Sequence, residues 1–129
     1  MPAQTATRRT AYYSELDTAP PLRQQLIGND GSPIDLTGHQ VFITIAYRRW
    51  SYYYSPTKKI VDDFEISIEA GINGWTNYNP AVGHLTPPGQ FLYRYRILYS
   101  DATVQHIPPH SWLPMFISAP TGGSPEGPP

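Results

Sequence analysis

Between Gly89 and Asp101 the chain reads GQFLYRYRILYSD, and Phe91, Tyr93, Tyr95, Ile97 and Tyr99 fall on every second position. Gln90, Arg94, Arg96 and Ser100 fill most of the positions between them. Successive side chains of a strand point to opposite faces, so the alternation predicts one long, half-buried β-strand. Pro87-Pro88-Gly89 opens it as a turn and Ser100-Asp101 closes it. The face opposite the aromatic stripe carries Leu92 and Leu98 beside the two arginines. That face is less polar than a freely solvated strand requires, and a second sheet, an arm or a neighbouring chain is expected to cover it.

A second strong alternation runs from Gln40 to Tyr47, with Val41, Ile43, Ile45 and Tyr47 on one face and Gln40, Thr44 and Ala46 on the other. Phe42 interrupts the polar face and is expected to cap an edge of the core. Weaker extended segments follow at Leu22 to Ile27, at Ile60-Val61 and Phe64 to Ile68, which make one strand or two, and at Thr103 to Ile107 and Leu113 to Ser118. Gly28 to Pro33 (GNDGSP) reads as a hairpin turn, and Gly71 to Tyr78 (GINGWTNY) as a turn leading into a strand. About seven or eight short strands separated by turn signals at roughly 8–12 residues are the pattern of a β-sandwich or small barrel.

Composition agrees. Fifteen of the 129 residues are proline, against an ordinary share of about 5%. Proline loses a hydrogen bond inside a helix or a central strand, so these residues belong in turns, edges and extended arms. No helical period lasts beyond about two turns, and the class is all-β. Residues 1–21 read as an extended N-terminal arm in which Tyr12-Tyr13 is either a short strand or an aromatic anchor, residues 22–118 as the β domain, and residues 119–129 (APTGGSPEGPP) as a flexible Pro/Gly-rich tail.

Charge and residue usage narrow the functions. The chain has no cysteine, so disulfides and thiolate metal sites are excluded. Nine Lys and Arg face ten Asp and Glu; a dedicated nucleic-acid binder carries a clear basic excess, so nucleic acid is not the expected partner. No run approaches the roughly 20 apolar residues of a membrane span, and the N-terminal stretch lacks the apolar region of a signal peptide.

No combination of residues reads as catalytic. His106 and His110 are four apart, but Pro108-Pro109 between them rules out the helix that would bring both onto one metal. The four histidines read as surface-loop residues. Asp62, Asp63 and Glu65 lie near Lys58-Lys59, but adjacent strand residues point to opposite faces, so Asp62 and Asp63 are not expected to converge as an acid–base pair. No enzyme activity and no cofactor are expected. The aromatic segment Arg48 to Lys59 carries Trp50, Tyr52, Tyr53 and Tyr54. Consecutive tyrosines in an extended chain cannot all face inward, so an interface is the leading reading, with core or lid packing and stacking on a glycan or nucleic acid as the alternatives.

Two segments resemble a known pattern. Asp30 to Gly38 (DGSPIDLTG), followed by the strand from Gln40, is similar to the opening of the immunoglobulin-like N-terminal domains of baseplate upper proteins of tailed phages. Pro88 to Tyr95 (PGQFLYRY), ending at Tyr99-Ser100-Asp101, looks like that family's penultimate strand, and Gly74 to Pro80 (GWTNYNP) sits where the family has a turn and strand of similar character. The likeness covers roughly residues 22–118. It implies an immunoglobulin-like β-sandwich located in the virion, a non-catalytic module that docks on capsid, tail or baseplate subunits and on copies of itself. The positions that match are structural, so no functional residue carries over. The contacts expected on the chain's own evidence are Tyr12, Tyr13, Trp50, Tyr52, Tyr53 and Tyr54, with Pro120 and Pro125 in the tail, because aromatic anchors dominate interface energies and prolines make arms less costly to order. The alternative function is a glycan-binding sandwich that recognises a host surface through the aromatic loop.

Overall fold

A computed structural model describes residues 5–6, 10–28, 30–48, 58–109 and 111–119. Its strands are β1 (Thr5–Ala6), β2 (Ala11–Ser14), β3 (Leu22–Ile27), β4 (Gln40–Tyr47), β5 (Lys59–Ala70), β6 (Trp75–Tyr78), β7 (Gly89–Leu98), β8 (Val104–Ile107) and β9 (Leu113–Ser118). One turn of 3-10 helix, Gly71–Asn73, joins β5 to β6. The all-β class is therefore established. Hydrogen-bonded neighbours run β1-β3-β6-β5-β4-β7-β9-β2, with β8 also on β7.

This continuous order folds into two layers because β5 belongs to both. Its first half pairs with β4, and its second half, from Ser67, pairs with β6. One layer is thus β1-β3-β6 with the end of β5; the other is the start of β5 with β4, β7, β9, β8 and β2. The Tyr95 hydroxyl on β7 donates to Gln24 Oε1 on β3, both buried, although these strands are not neighbours in the sheet. The two therefore face each other across the core. The succession of strands in each layer is that of an immunoglobulin-type sandwich.

The alternating residues fill the interior as expected. Across β4 and β7 the inward pairs are Val41–Ile97, Ile43–Tyr95, Ile45–Tyr93 and Tyr47–Phe91, and all but the half-buried Tyr47 are closed to solvent. Leu22 and Leu26 from β3, Tyr78 from β6 and Met115 from β9 complete the core. The Gly28 to Pro33 turn closes as read, with the Gly28 N–H donating to the Ser32 carbonyl at 2.9 Å. Phe42 does not cap the core: it lies on the outer face, with the Arg96 guanidinium 4.3 Å from its ring centroid.

Two points left open by the pattern are settled by the pairing. Ile60-Val61 and Phe64 to Ile68, readable as one strand or two, form the single strand β5, with Asp62 and Asp63 as a β-bulge in it. Ile43 pairs with Phe64 and Ile45 with Val61, so two residues stand opposite Thr44. The extra residue fits because Asp63 takes φ 56°, and its N–H donates to Thr44 Oγ1 at 3.0 Å. Within the N-terminal segment, read as an arm in which Tyr12-Tyr13 is a short strand or an aromatic anchor, two strands form. β1 pairs antiparallel with β3 in one layer, and β2 pairs parallel with β9 at the edge of the other, so this segment straddles both sheets.

Candidate functional site

Two concave surfaces of different chemistry lie on the β4-β7-β9 layer. The first is a shallow groove of about 490 Å³ along the β2–β9 edge, lined by Tyr12, Tyr13, Ser14, Asp17, Gly89 and Phe116 among others. Strand alternation separates its two tyrosines. Tyr12 is 72% exposed and stacks on Phe116 with ring centroids 5.6 Å apart. Tyr13 is only 7% exposed, and its hydroxyl donates to the Pro20 carbonyl at 2.8 Å. Tyr13 was expected as a contact residue; it is a core residue, because the neighbouring strand position must point inward. β2 ends in a local clasp. The Ser14 N–H donates to Asp17 Oδ2 at 2.8 Å and the Asp17 N–H returns to the Ser14 carbonyl at 3.1 Å. This clasp occupies backbone groups that another strand would need for pairing.

The second surface is a cleft of about 310 Å³ on the outer face, lined by Thr44, Lys59, Asp62, Asp63, Arg94, Tyr95, Arg96, His106 and Trp112. Strand register assembles it. Thr44 is opposite Arg94, Phe42 is opposite Arg96, and Arg96 is opposite His106. The bulge turns Asp62 and Asp63 onto this face together, which corrects the expectation that adjacent residues would diverge. They do not form an acid–base pair, because each is held by its own cation. Arg96 makes a two-pronged pair with Asp63, at 2.9 and 2.7 Å, and Lys59 lies 3.5 Å from Asp62. The hydrogen bond to Asp63 holds the Arg96 guanidinium firmly in its charged form.

Arg94 is placed by a break in the sheet. Along one edge of β7, Tyr93 pairs with Leu113 of β9 and Tyr95 pairs with Ile107 of β8. Between those positions Arg94 has no sheet partner on this side, and it reaches Pro108 and Pro109 instead. Its Nε donates to the Pro108 carbonyl at 2.9 Å and its Nη2 to the Pro109 carbonyl at 2.6 Å, while the guanidinium sits 5.4 Å from the Trp112 ring centroid. Pro108, Pro109 and Trp112 thus cover Arg94 on the outer face of β7. Partial burial lowers the Arg94 pKa from its ordinary value. Burial and the nearby Arg94 and Arg96 likewise push the His106 imidazole down, against a smaller upward pull from Asp63.

The remaining expected residues are apart from both surfaces. Trp50, Tyr52, Tyr53, Tyr54, His110, Pro120 and Pro125 lie outside the described residues. The other histidines do not meet. His39 accepts the Ser100 N–H at 3.0 Å and packs edge-on against Tyr99. The half-buried His84 packs against Phe64 and Tyr78. Among the described residues no three His, Asp or Glu side chains converge as metal ligands. Arg94 was legible only as an outward residue of a strand; the carbonyl pair that orients it arises from a loop whose path the alternation does not encode.

No protein-family model matches the chain, and no curated protein does. Among solved structures it is similar to CopC from Methylosinus trichosporium OB3b, over 95% of this chain and 98% of that one, at 9% identity and a TM-score of 0.47. A likeness of that degree carries no argument about function.

Proposed function

We propose that this chain is a non-catalytic attachment module of a tailed-phage particle, and that it docks on a neighbouring structural subunit through the β2–β9 edge. The observation that carries the reading is Tyr12, a large aromatic left exposed at the edge of the sandwich yet held flat against Phe116. A tyrosine already ordered in this way loses little side-chain entropy on contact, which is the property of an interface anchor. The Asp17 clasp favours contact through the rings over addition of a strand. The tail sequence starts beside this groove, since Ser118 lines it and residues 119–129 follow. Fully extended, that segment would span about 35–40 Å, enough to touch a neighbour. The likeness of Asp30 to Gly38 and of Pro88 to Tyr95 to virion modules supports the choice of partner.

The test is to purify particles from a culture that expresses the chain and to measure its copy number by quantitative mass spectrometry. The chain should co-purify at a fixed number of copies per particle. Tyr12→Ala should weaken retention about tenfold or more, the scale of losing one aromatic anchor, with an unchanged thermal midpoint. A chain that stays monomeric and never migrates with particles would end the proposal.

A further inference from the structure

The cleft on the outer face has an unbalanced charge, and this carries an inference independent of the attachment role. Three cations line it, Lys59, Arg94 and Arg96, with two carboxylates, Asp62 and Asp63. Asp63 is taken by Arg96 and Asp62 lies against Lys59. Arg94 is left without a carboxylate partner among the described residues. Its two hydrogen bonds go to neutral carbonyls, which orient the guanidinium without cancelling its charge.

A partly buried cation that lacks a counter-charge is costly unless something compensates it. Here part of the compensation comes from the carbonyls and the Trp112 ring. The guanidinium has five N–H donors in a fixed fork, and only two are used. The carbonyls and the ring also restrict its rotation, so an incoming acceptor would meet a group already in place. His106 lies on the neighbouring strand, in register with Arg96, and adds a ring nitrogen at the rim of the same cleft.

We propose that this cleft binds a compact oxyanion, a carboxylate, sulfate or phosphate group, with Arg94 as the principal contact and Arg96 and His106 as flanking donors. The shared chemistry is a small group with several acceptor oxygens, which matches the unused side of a guanidinium. Free phosphate and the carboxylate of an acidic sugar both supply it. Asp62 opposes such a ligand, being a half-compensated carboxylate on the same wall.

The experiment titrates the full chain, labelled for amide and indole NMR, with inorganic phosphate in one arm and a glucuronate oligosaccharide in the other, at constant ionic strength. Saturable shifts at Trp112 and at the amides around Arg94 and His106 are expected in at least one arm, and the arm that responds more strongly identifies the source. Arg94→Gln should weaken binding about tenfold, the scale of one lost charge-assisted hydrogen bond. Arg23→Gln, which removes a cation paired with Glu69 on the other layer, should leave binding unchanged. Asp62→Asn keeps the Arg94 tether intact and should tighten binding by about two- to fivefold, the range of a surface charge; this variant decides the matter even where Arg94→Gln perturbs the 108–112 segment. Non-saturating shifts in both arms, equal loss in Arg23→Gln, or no gain in Asp62→Asn would each overturn the assignment.

Discussion

His84 shows what a single half-buried acceptor demands of a titratable side chain. The Ala81 N–H lies 3.2 Å from its Nδ1 and can only donate. The Tyr78 hydroxyl, 2.8 Å from the same nitrogen, must therefore donate as well. Protonating Nδ1 would forfeit both bonds and place a charge between Phe64 and Tyr78. Burial accordingly lowers the His84 pKa below its usual value, and it raises that of the Tyr78 phenol, with Tyr13 adding to the rise. The sign of the linkage follows. Below about 6.5, the ordinary histidine pKa, the unfolded chain binds protons that the folded chain does not, so stability falls as the pH drops through that range. His106 is shifted the same way and acts in the same direction. The chain should need less urea to unfold at pH 5.5 than at pH 7.5. His84→Asn, which keeps an acceptor but does not titrate, should flatten that dependence. An imidazole titrating at or above 6.5 in the folded protein would contradict the argument.

At the scale of elements, the corner between β5 and β6 depends on one backbone position. Gly74 ends the 3-10 turn at φ 73°. A Cβ there would lie 2.7 Å from the Leu26 carbonyl oxygen and 2.9 Å from that of Ile34. Both are backbone atoms, and the Leu26 oxygen is held by the Ile34 N–H at 2.9 Å. Gly83 has a similar φ of 86° but nothing within 4 Å of the same built atom. The pair separates two costs. Gly83→Ala should lose about 1 kcal/mol for the left-handed backbone alone, and Gly74→Ala about 3 kcal/mol or more once the clash is added. Equal losses in denaturant unfolding would mean that the corner yields freely. The same scale marks where the pattern of apolar positions stops informing. β4 and β7 are central, each with one buried face, and their alternation reads directly. The pattern leaves β5 open between one strand and two because the bulge at Asp62-Asp63 shifts the phase of the alternation within a single strand. A bulge is fixed by the partner strand and by the side chain of Thr44, neither of which lies in the local pattern. The cleft depends on that bulge and on the break opposite Arg94, so its wall could not be assembled from the sequence even though each residue in it was visible.

For the whole molecule, the segment before Leu22 is where the pattern says least about the fold, and its role can be tested. Two residues are too few to choose between a strand and an anchor at Tyr12-Tyr13, and the partner β9 lies at the far end of the chain; a parallel pairing of that separation leaves no local trace. Yet β2 buries Ala11 and Tyr13 against the core and covers the open edge of β9. The step from β1 on one layer to β2 on the other also closes the sandwich at its β9 side. Removing residues 1–14 would therefore do two things. It would withdraw an aromatic from the core, a loss of about 3 kcal/mol or more, and it would uncover the backbone groups of β9 from Met115 to Ser118 for pairing with another chain. The truncated protein should unfold at clearly lower urea and should self-associate with rising concentration in sedimentation experiments. A truncated protein with full stability that stays monomeric would restore the arm reading and place the start of the domain at Leu22. The intact chain avoids both outcomes because its first strands lie on different layers, and the edge that β2 protects is the one on which Tyr12 is displayed.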